Sequence, residues 1–313
     1  MARKLRVQYP GAIYHVMNRG DRREPIFKDD KDRALFLEAL GEVCEKTGWW
    51  IHAWCLMPNY FHLVIETPQA NLVAGMKWLL GTYTGRFNRR HQEFGHLFSG
   101  RYKALVVDGS GSGYLETVCD YVHLNPVRAK LLAADQKLGA YRWSSLREYL
   151  QPRRKRVKWL RVGRLLGEHG IPKDSQVGRR EFERRMEWRR QTETNPEEFK
   201  RVRRGWCLGD KAFRRELLAQ MKRQMGPEHY GEERAETDQE HAEGVVREGL
   251  KRLRWKEADL AARPKGDREK LKLALRLRVE TTATTKWIAE RLRMGTWTHL
   301  NHLLYWHRRK KLE

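Results

Sequence analysis

The sequence predicts an α+β chain whose first half forms an antiparallel sheet with helices on one face. A basic, all-α C-terminal region ending in a helix-turn-helix follows. Three observations lead there. Two β-rich runs, residues 49–57 and 60–67, are separated only by Pro58 and Asn59, which reads as a hairpin. Strand-like and helix-like periods alternate from residue 12 to 108 in the order β-α-β-β-α-β, a ferredoxin-like split βαβ arrangement. Charge is uneven: the chain carries 64 Lys+Arg against 40 Asp+Glu, yet residues 1–150 hold only 21 against 15.

AIYHVMNRG (12–20) is a short β-rich run closed by Gly20, the first strand. Residues 30–46 place Leu35, Leu37, Leu40, Val43 and Cys44 at helical spacing, with Gly48 as C-cap. WWIHAWCLM and YFHLVIET form the hairpin, and residues 71–91 a second helix with Asn71 as N-cap. GRYKALVVD (100–108) is the fourth strand. GSGSG (109–113) is followed by no Gly-Lys-Ser/Thr, so it reads as a flexible hinge and not as a phosphate loop. YLETVCDYVHLNPVRAKLL begins a helix near 114, which ends near Asn125 because Pro126 disfavours α geometry before it. RWSSLREYL closes this first domain near 150.

Residues 151–164 read as a basic linker, and 175–245 as charged, solvent-exposed helices and loops with too few apolar positions for a second large core. The domain plan is thus 1–150, 151–245 and 246–313. In the last segment, KLKLALRLRVE (270–280) is amphipathic, and TTKWIAERL (284–292) and TWTHLNHLLYWHRRKK (296–311) flank an RMG turn. That pair reads as a helix-turn-helix, with Ala289 where the helices cross and Thr296, Thr298, His299 and Asn301 presented to DNA.

A net charge of +24 points to a polyanionic partner, and its asymmetry favours nucleic acid. Cys44, Cys55, Cys119 and Cys207 form no C-x-x-C pair, which argues against a zinc ribbon or disulfide framework and suits a reducing cytosol. No run approaches the roughly 18 apolar residues of a membrane span, and MARKLRVQYPG lacks a secretion-signal core. We therefore expect a cytoplasmic, nucleoid-associated protein with no membrane contact.

Chemistry concentrates in the first half. On a strand, positions 60 and 62 share a face, so Tyr60 and His62 look like a His-x-His metal pair with one histidine absent. Tyr121 and Asn125 lie four apart on one helix face. A phenol is a poor nucleophile at neutral pH unless a metal polarises its target, and an Asn carbonyl suits a hard cation.

YHVMNRG, LMPNYFH, GHLFSGRYKALVVD and YVHLNPVRA, in this order and spacing, resemble the single-tyrosine transposases of the HUH class, specifically the REP-associated tyrosine transposases. The resemblance covers roughly residues 1–150. It implies the ferredoxin-like sheet and one Mg²⁺ or Mn²⁺ held by two strand histidines and a helix Asn or Gln. It also implies a helix tyrosine that attacks a single-stranded DNA phosphate, becoming linked to the 5′ end and freeing a 3′-OH. Carried over, Tyr121 is the nucleophile, His62 and Asn125 are metal ligands, and Tyr60 stands where the other histidine belongs. Asn18, Arg19 and Arg101 lie near the DNA path. The expected partners are single-stranded and hairpin DNA, and the resemblance allows a homodimer.

The departure at position 60 removes an imidazole, which should weaken metal affinity by at least roughly 10- to 100-fold, although a water can fill the gap. His52 and His123 are the other histidines considered as substitutes, and His123 should face away from Tyr121. Two further readings compete. One is a catalytically impaired or domesticated transposase that acts as a sequence-specific DNA-binding protein. The other is RNA processing, which charge alone does not separate from DNA work.

Overall fold

A computed structural model describes residues 7–192, 199, 201–202, 205–222, 232–281 and 283–309. The parts of the expected exposed segment at 193–198, 200, 203–204 and 223–231, the first six residues, and Lys310 and Lys311 of the last expected helix lie outside the described residues. The chain divides into two units, residues 6–217 and a second one made of residues 218–313 with the first five residues.

The first unit opens with strand β1 (Ala12–Arg19), helix α1 (Asp30–Thr47), hairpin strands β2 (Trp50–Met57) and β3 (Tyr60–Thr67), helix α2 (Leu72–His91) and strand β4 (Lys103–Val107). The sheet order is β2-β3-β1-β4-β5, with β5 (Cys207–Leu208) pairing parallel to β4 and all other neighbours antiparallel.

α1 and α2 cover one face. Phe36 of α1 meets Phe61 of β3 with ring centroids 4.9 Å apart, and Tyr83 of α2 packs edge-on against Phe36 at 5.1 Å. The buried stripe of α1 is Phe36, Ala39, Leu40, Val43 and Cys44, so Leu35 and Leu37 of the expected pattern flank it. Asp29 caps the start of α1, accepting from Asp32 N at 3.0 Å, and Gly48 ends it in the left-handed region at φ 72°. Asn71 precedes α2 as expected, but its side chain serves the neighbouring turn: Oδ1 accepts from Trp49 Nε1 at 2.7 Å and Nδ2 donates to Thr47 O at 2.9 Å.

The opposite face is covered by α3 (Tyr114–His123), which is followed by the short α4 (Asn125–Arg128) with Pro126 in its first turn. The glycine loop before α3 places Gly111 and Gly113 at positive φ, and Gly109 O accepts from Arg164 Nη2 at 2.7 Å.

The first unit does not end near 150. Helices α5 (Leu146–Leu150), α6 (Val162–Glu168) and α7 (Gln176–Thr192) follow, and they join the same core. In α7 the few apolar positions recur every four residues, so Gly178, Phe182 and Met186 form one buried stripe among the arginines and glutamates. Phe182 stacks on Tyr149 at 5.1 Å. The expected basic linker is fastened along β2: Ile51 N donates to Trp159 O at 3.1 Å and Arg161 N to Ile51 O at 2.8 Å. Its arginines find carboxylates, Arg161 and Arg164 on Glu66 and Arg156 on Asp174.

Helix α8 (Lys211–Lys222) leads to the second unit, with α9 (Glu232–Leu253), α10 (Glu257–Ala262), α11 (Arg268–Glu280), α12 (Thr285–Arg291) and α13 (Trp297–Arg309). Its core includes Val246, Leu260, Leu273, Leu277, Ile288, Ala289 and Leu300. Lys270 is buried within it, its Nζ donating to Leu260 O at 2.7 Å and Arg263 O at 3.1 Å. α12 ends in a Schellman turn, with Met294 N on Ala289 O at 2.9 Å and Arg293 N on Glu290 O at 3.2 Å. Among the described residues no helix is long and apolar enough to cross a membrane.

Gly75 of α2 lies against the buried Trp49 ring, so that an added Cβ would sit 2.1 Å from it. Gly75→Ala should destabilise the protein by about 1–3 kcal/mol through overpacking, despite the better helix propensity of Ala. Chemical denaturation of the two proteins measures this.

Candidate active site

β1 and β3 pair with Met17 opposite His62 and His15 opposite Val64. Strand alternation then puts His15, Met17, Tyr60 and His62 on the face under α3. The His15 and His62 rings stack at 5.0 Å with an interplanar angle of 24°, and His15 Nε2 lies 2.9 Å from His62 Nδ1. Tyr121 of α3 meets both rings edge-on, at 5.8 Å and 5.7 Å. Tyr60 packs edge-on against His62 at 5.3 Å, and its hydroxyl donates to Asn125 Oδ1 at 3.2 Å.

Tyr121 is only 6% exposed. Arg128 lies over its ring at 4.6 Å, donates to its backbone oxygen at 2.6 Å and also covers the Phe199 ring at 4.4 Å. Phe199 in turn packs on Tyr121 at 5.4 Å.

These side chains border a cleft of about 490 Å³. Tyr60, His62, Tyr121, Asn125, Asn18, Arg19 and Arg101, the residues singled out in the first domain from sequence, all line it. Arg23 and Lys103 join them, so among the described residues four cations and no carboxylate border the cleft. Such a lining raises the local concentration of polyanions.

Residues 8–125 match the family model for IS200-like transposases. Over those residues the chain is similar to the IS200-like transposases. Among solved structures, a REP-associated tyrosine transposase bound to a REP hairpin is 14% identical, with 47% of this chain and 84% of that one covered at a TM-score of 0.40. A protein from Deinococcus radiodurans R1 described as a transposase is 20% identical, covering 41% of this chain and 92% of that one at a TM-score of 0.28. No curated protein matches the chain.

The donor set of the cleft can be tested against a divalent cation. Burial pushes the Tyr60 phenol up to about 12, so it stays protonated and is a poor ligand. Its proton is instead directed at Asn125. Asn125 Nδ2 is buried with no hydrogen-bond partner among the described residues. Turning that amide over would let Nδ2 donate to Tyr60 and would put the carbonyl oxygen at the partnerless position, where a cation satisfies it. One imidazole from His62 and one amide oxygen from Asn125 therefore fit a hard cation that keeps several waters, as Mg²⁺ does.

Of the other histidines, His52 bonds Glu66 at 2.7 Å and His123 bonds Ser145 Oγ at 2.8 Å; neither lines the cleft. Glu116, Asp120 and His169 are grouped closely enough to suggest a metal site. Asp120 is already compensated, by His169 Nε2 at 3.1 Å and Arg189 Nε at 3.0 Å, and the group fastens α3 to the α6–α7 region. Thr296, Thr298, His299 and Asn301 belong to the second unit. Thr296 Oγ1 accepts from His299 N at 3.2 Å, so its hydroxyl starts helix α13.

Sequence reading missed His15, Arg128 and Phe199. His15 stands in the quoted YHVMNRG motif, but nothing local says which residue of another strand faces it. Arg128 follows Tyr121 by seven residues across the break at Pro126, so helical spacing does not signal their contact.

Burial pushes His15 down to about 4 and His123 down to about 3, so both are neutral in the folded protein at pH 7. Below pH 6.5 the unfolded chain binds protons that the folded one does not, so stability falls with pH through that range. We expect the unfolding free energy to be fully retained above 6.5. From there to about 4 it should fall by about 1.4 kcal/mol per pH unit for each such histidine. Denaturation midpoints across this range, compared with a His123→Gln protein, check the slope.

Proposed function

We propose that the transposase domain cleaves and rejoins single-stranded DNA beside hairpins of repeated palindromes. Tyr121 attacks the phosphate, becomes joined to the 5′ end and loses its phenolic proton, while the leaving 3′ oxygen takes one up. The observation that carries this reading is the meeting of Tyr121, His62 and Asn125 at one cleft bordered by four cations. His62 and Asn125 hold Mg²⁺ or Mn²⁺, which when bound supplies charge stabilisation at the scissile phosphate. Tyr60 orients the Asn125 amide. Arg128 and the three ring contacts on Tyr121, from His15, His62 and Phe199, hold its ring. Asn18, Arg19 and Arg101 grip the backbone of the strand, which positions without specifying sequence.

Residues 1–150 carry the chemistry, braced by the helices that pack on them. Residues 246–313 grip duplex or hairpin DNA, with α12 and α13 as a helix-turn-helix that offers Thr296, Thr298, His299 and Asn301. Such a protein works at chromosomal DNA in the cytoplasm.

One observation favours a second reading, a DNA-binding protein that has lost cleavage: position 60 carries no imidazole and its phenol is turned to Asn125.

End-labelled single-stranded hairpin DNA with Mn²⁺ separates the two. Native protein should release the upstream fragment with a 3′-OH and retain the downstream fragment covalently through its 5′-phosphate, and Tyr121→Phe should do neither. Tyr60→His should bind Mn²⁺ at least roughly 10-fold more tightly than native. Hairpin binding with no cleavage by native protein or by Tyr60→His would establish the second reading, whereas cleavage by Tyr60→His alone would show a recently damaged enzyme. A further check uses salt: Arg101→Ala should weaken hairpin binding about equally for all sequences and lower the slope of log K against log salt by about 1.

A further inference from the structure

We propose that His15 is the positioning partner of His62. It accepts a hydrogen bond from His62 Nδ1, and so holds His62 in the one tautomer whose Nε2 is a bare lone pair for a cation. This rests on the metal-site reading above.

The two nitrogens are 2.9 Å apart, a separation that requires one hydrogen between them. Two N–H groups would repel, and two lone pairs would leave both unsatisfied. If the hydrogen sits on His62 Nδ1, the Nε2 of that ring is a free donor pair. If it sits on His15 Nε2, His62 must carry its own hydrogen on Nε2, where a cation is excluded. Metal-binding imidazoles nearly always donate their second ring N–H to an acceptor that fixes tautomer and ring orientation. A buried imidazole in that outer position supplies the acceptor here.

The arrangement also keeps the rings from turning. Both are almost fully buried, at 2% exposure each, and Tyr121 abuts both edges. His62 lines the cleft and His15 does not, so His15 stands behind the ligand. With a phenol at position 60, His62 is the only imidazole bordering the cleft among the described residues, and its tautomer decides whether they offer the cleft an imidazole nitrogen ligand.

The test uses the full-length protein. In ¹⁵N-histidine NMR of the metal-free protein, His62 should be protonated at Nδ1 and bare at Nε2. Mn²⁺ titration followed by EPR should give a dissociation constant roughly 10- to 100-fold higher for His15→Phe than for native. His15→Gln, which keeps an acceptor oxygen in reach, should recover most of that loss. Pulsed EPR should count one coupled imidazole nitrogen in native protein and in His15→Gln. Native Mn²⁺ affinity in a folded His15→Phe protein overturns the proposal, as does a His62 ring protonated at Nε2. A count of two nitrogens in native protein falling to one in His15→Gln makes His15 a ligand and overturns it too. If native protein binds no Mn²⁺, the metal reading itself has failed, and the NMR tautomer still decides whether His15 orients His62. Should His15→Phe not fold, the NMR measurement and His15→Gln decide.

Discussion

The register of β1 against β3 is the constraint on which the candidate site depends. A slip of one residue would turn His62 toward α1 and α2 and bring Phe61 under α3. What prevents the slip is the packing on the other face, where Phe61 meets Phe36 and the Tyr83 hydroxyl donates to Ile26 O. Apolar burial on one side of the sheet thus sets the polar geometry on the other. Asp32 reinforces it: fully buried at the start of α1, it is paired with Arg90 and His91 at the end of α2 and so holds the two covering helices together.

The helix bearing Tyr121 is held in place largely by residues far along the chain. Asp120, its immediate neighbour, is fully buried and depends on Arg189 and His169 for compensation. Removing one partner of such a buried pair costs about 3–5 kcal/mol, because the remaining charge is stranded. Phe199 comes from the same late part of the chain. The geometry at Tyr121 therefore belongs to the whole of residues 6–217, and the boundary that sequence suggests near 150 cuts through its supports.

Much of this was legible because the signals are local. Pro58-Asn59 marks the hairpin, Gly48 ends α1 and Pro126 breaks α3 from α4, each by restricting backbone angles at its own position. What was not legible is long-range. The partner of His62 lies 47 residues away on another strand. β5 is two residues long and joins the sheet only through β4. α7 hides its apolar stripe, Gly178, Phe182 and Met186, in a segment dominated by arginine and glutamate. Position 60 was legible as a departure but not as an arrangement: sequence offers Tyr60 as a weak ligand, whereas its hydroxyl is hydrogen-bonded to the Asn125 amide, a contact that either orientation of that amide keeps.

The central claim is that Tyr121 is the residue that bonds to DNA, and peptide mapping of the trapped product tests it most directly. After incubation of the native, full-length protein with single-stranded hairpin DNA and Mn²⁺, nuclease trimming and proteolysis, mass spectrometry locates the nucleotide-bearing residue. The account predicts a 5′-phosphonucleotide on the peptide containing Tyr121 and on no other tyrosine. The same modification found on Tyr60, or an adduct joined through the 3′ end, would contradict it.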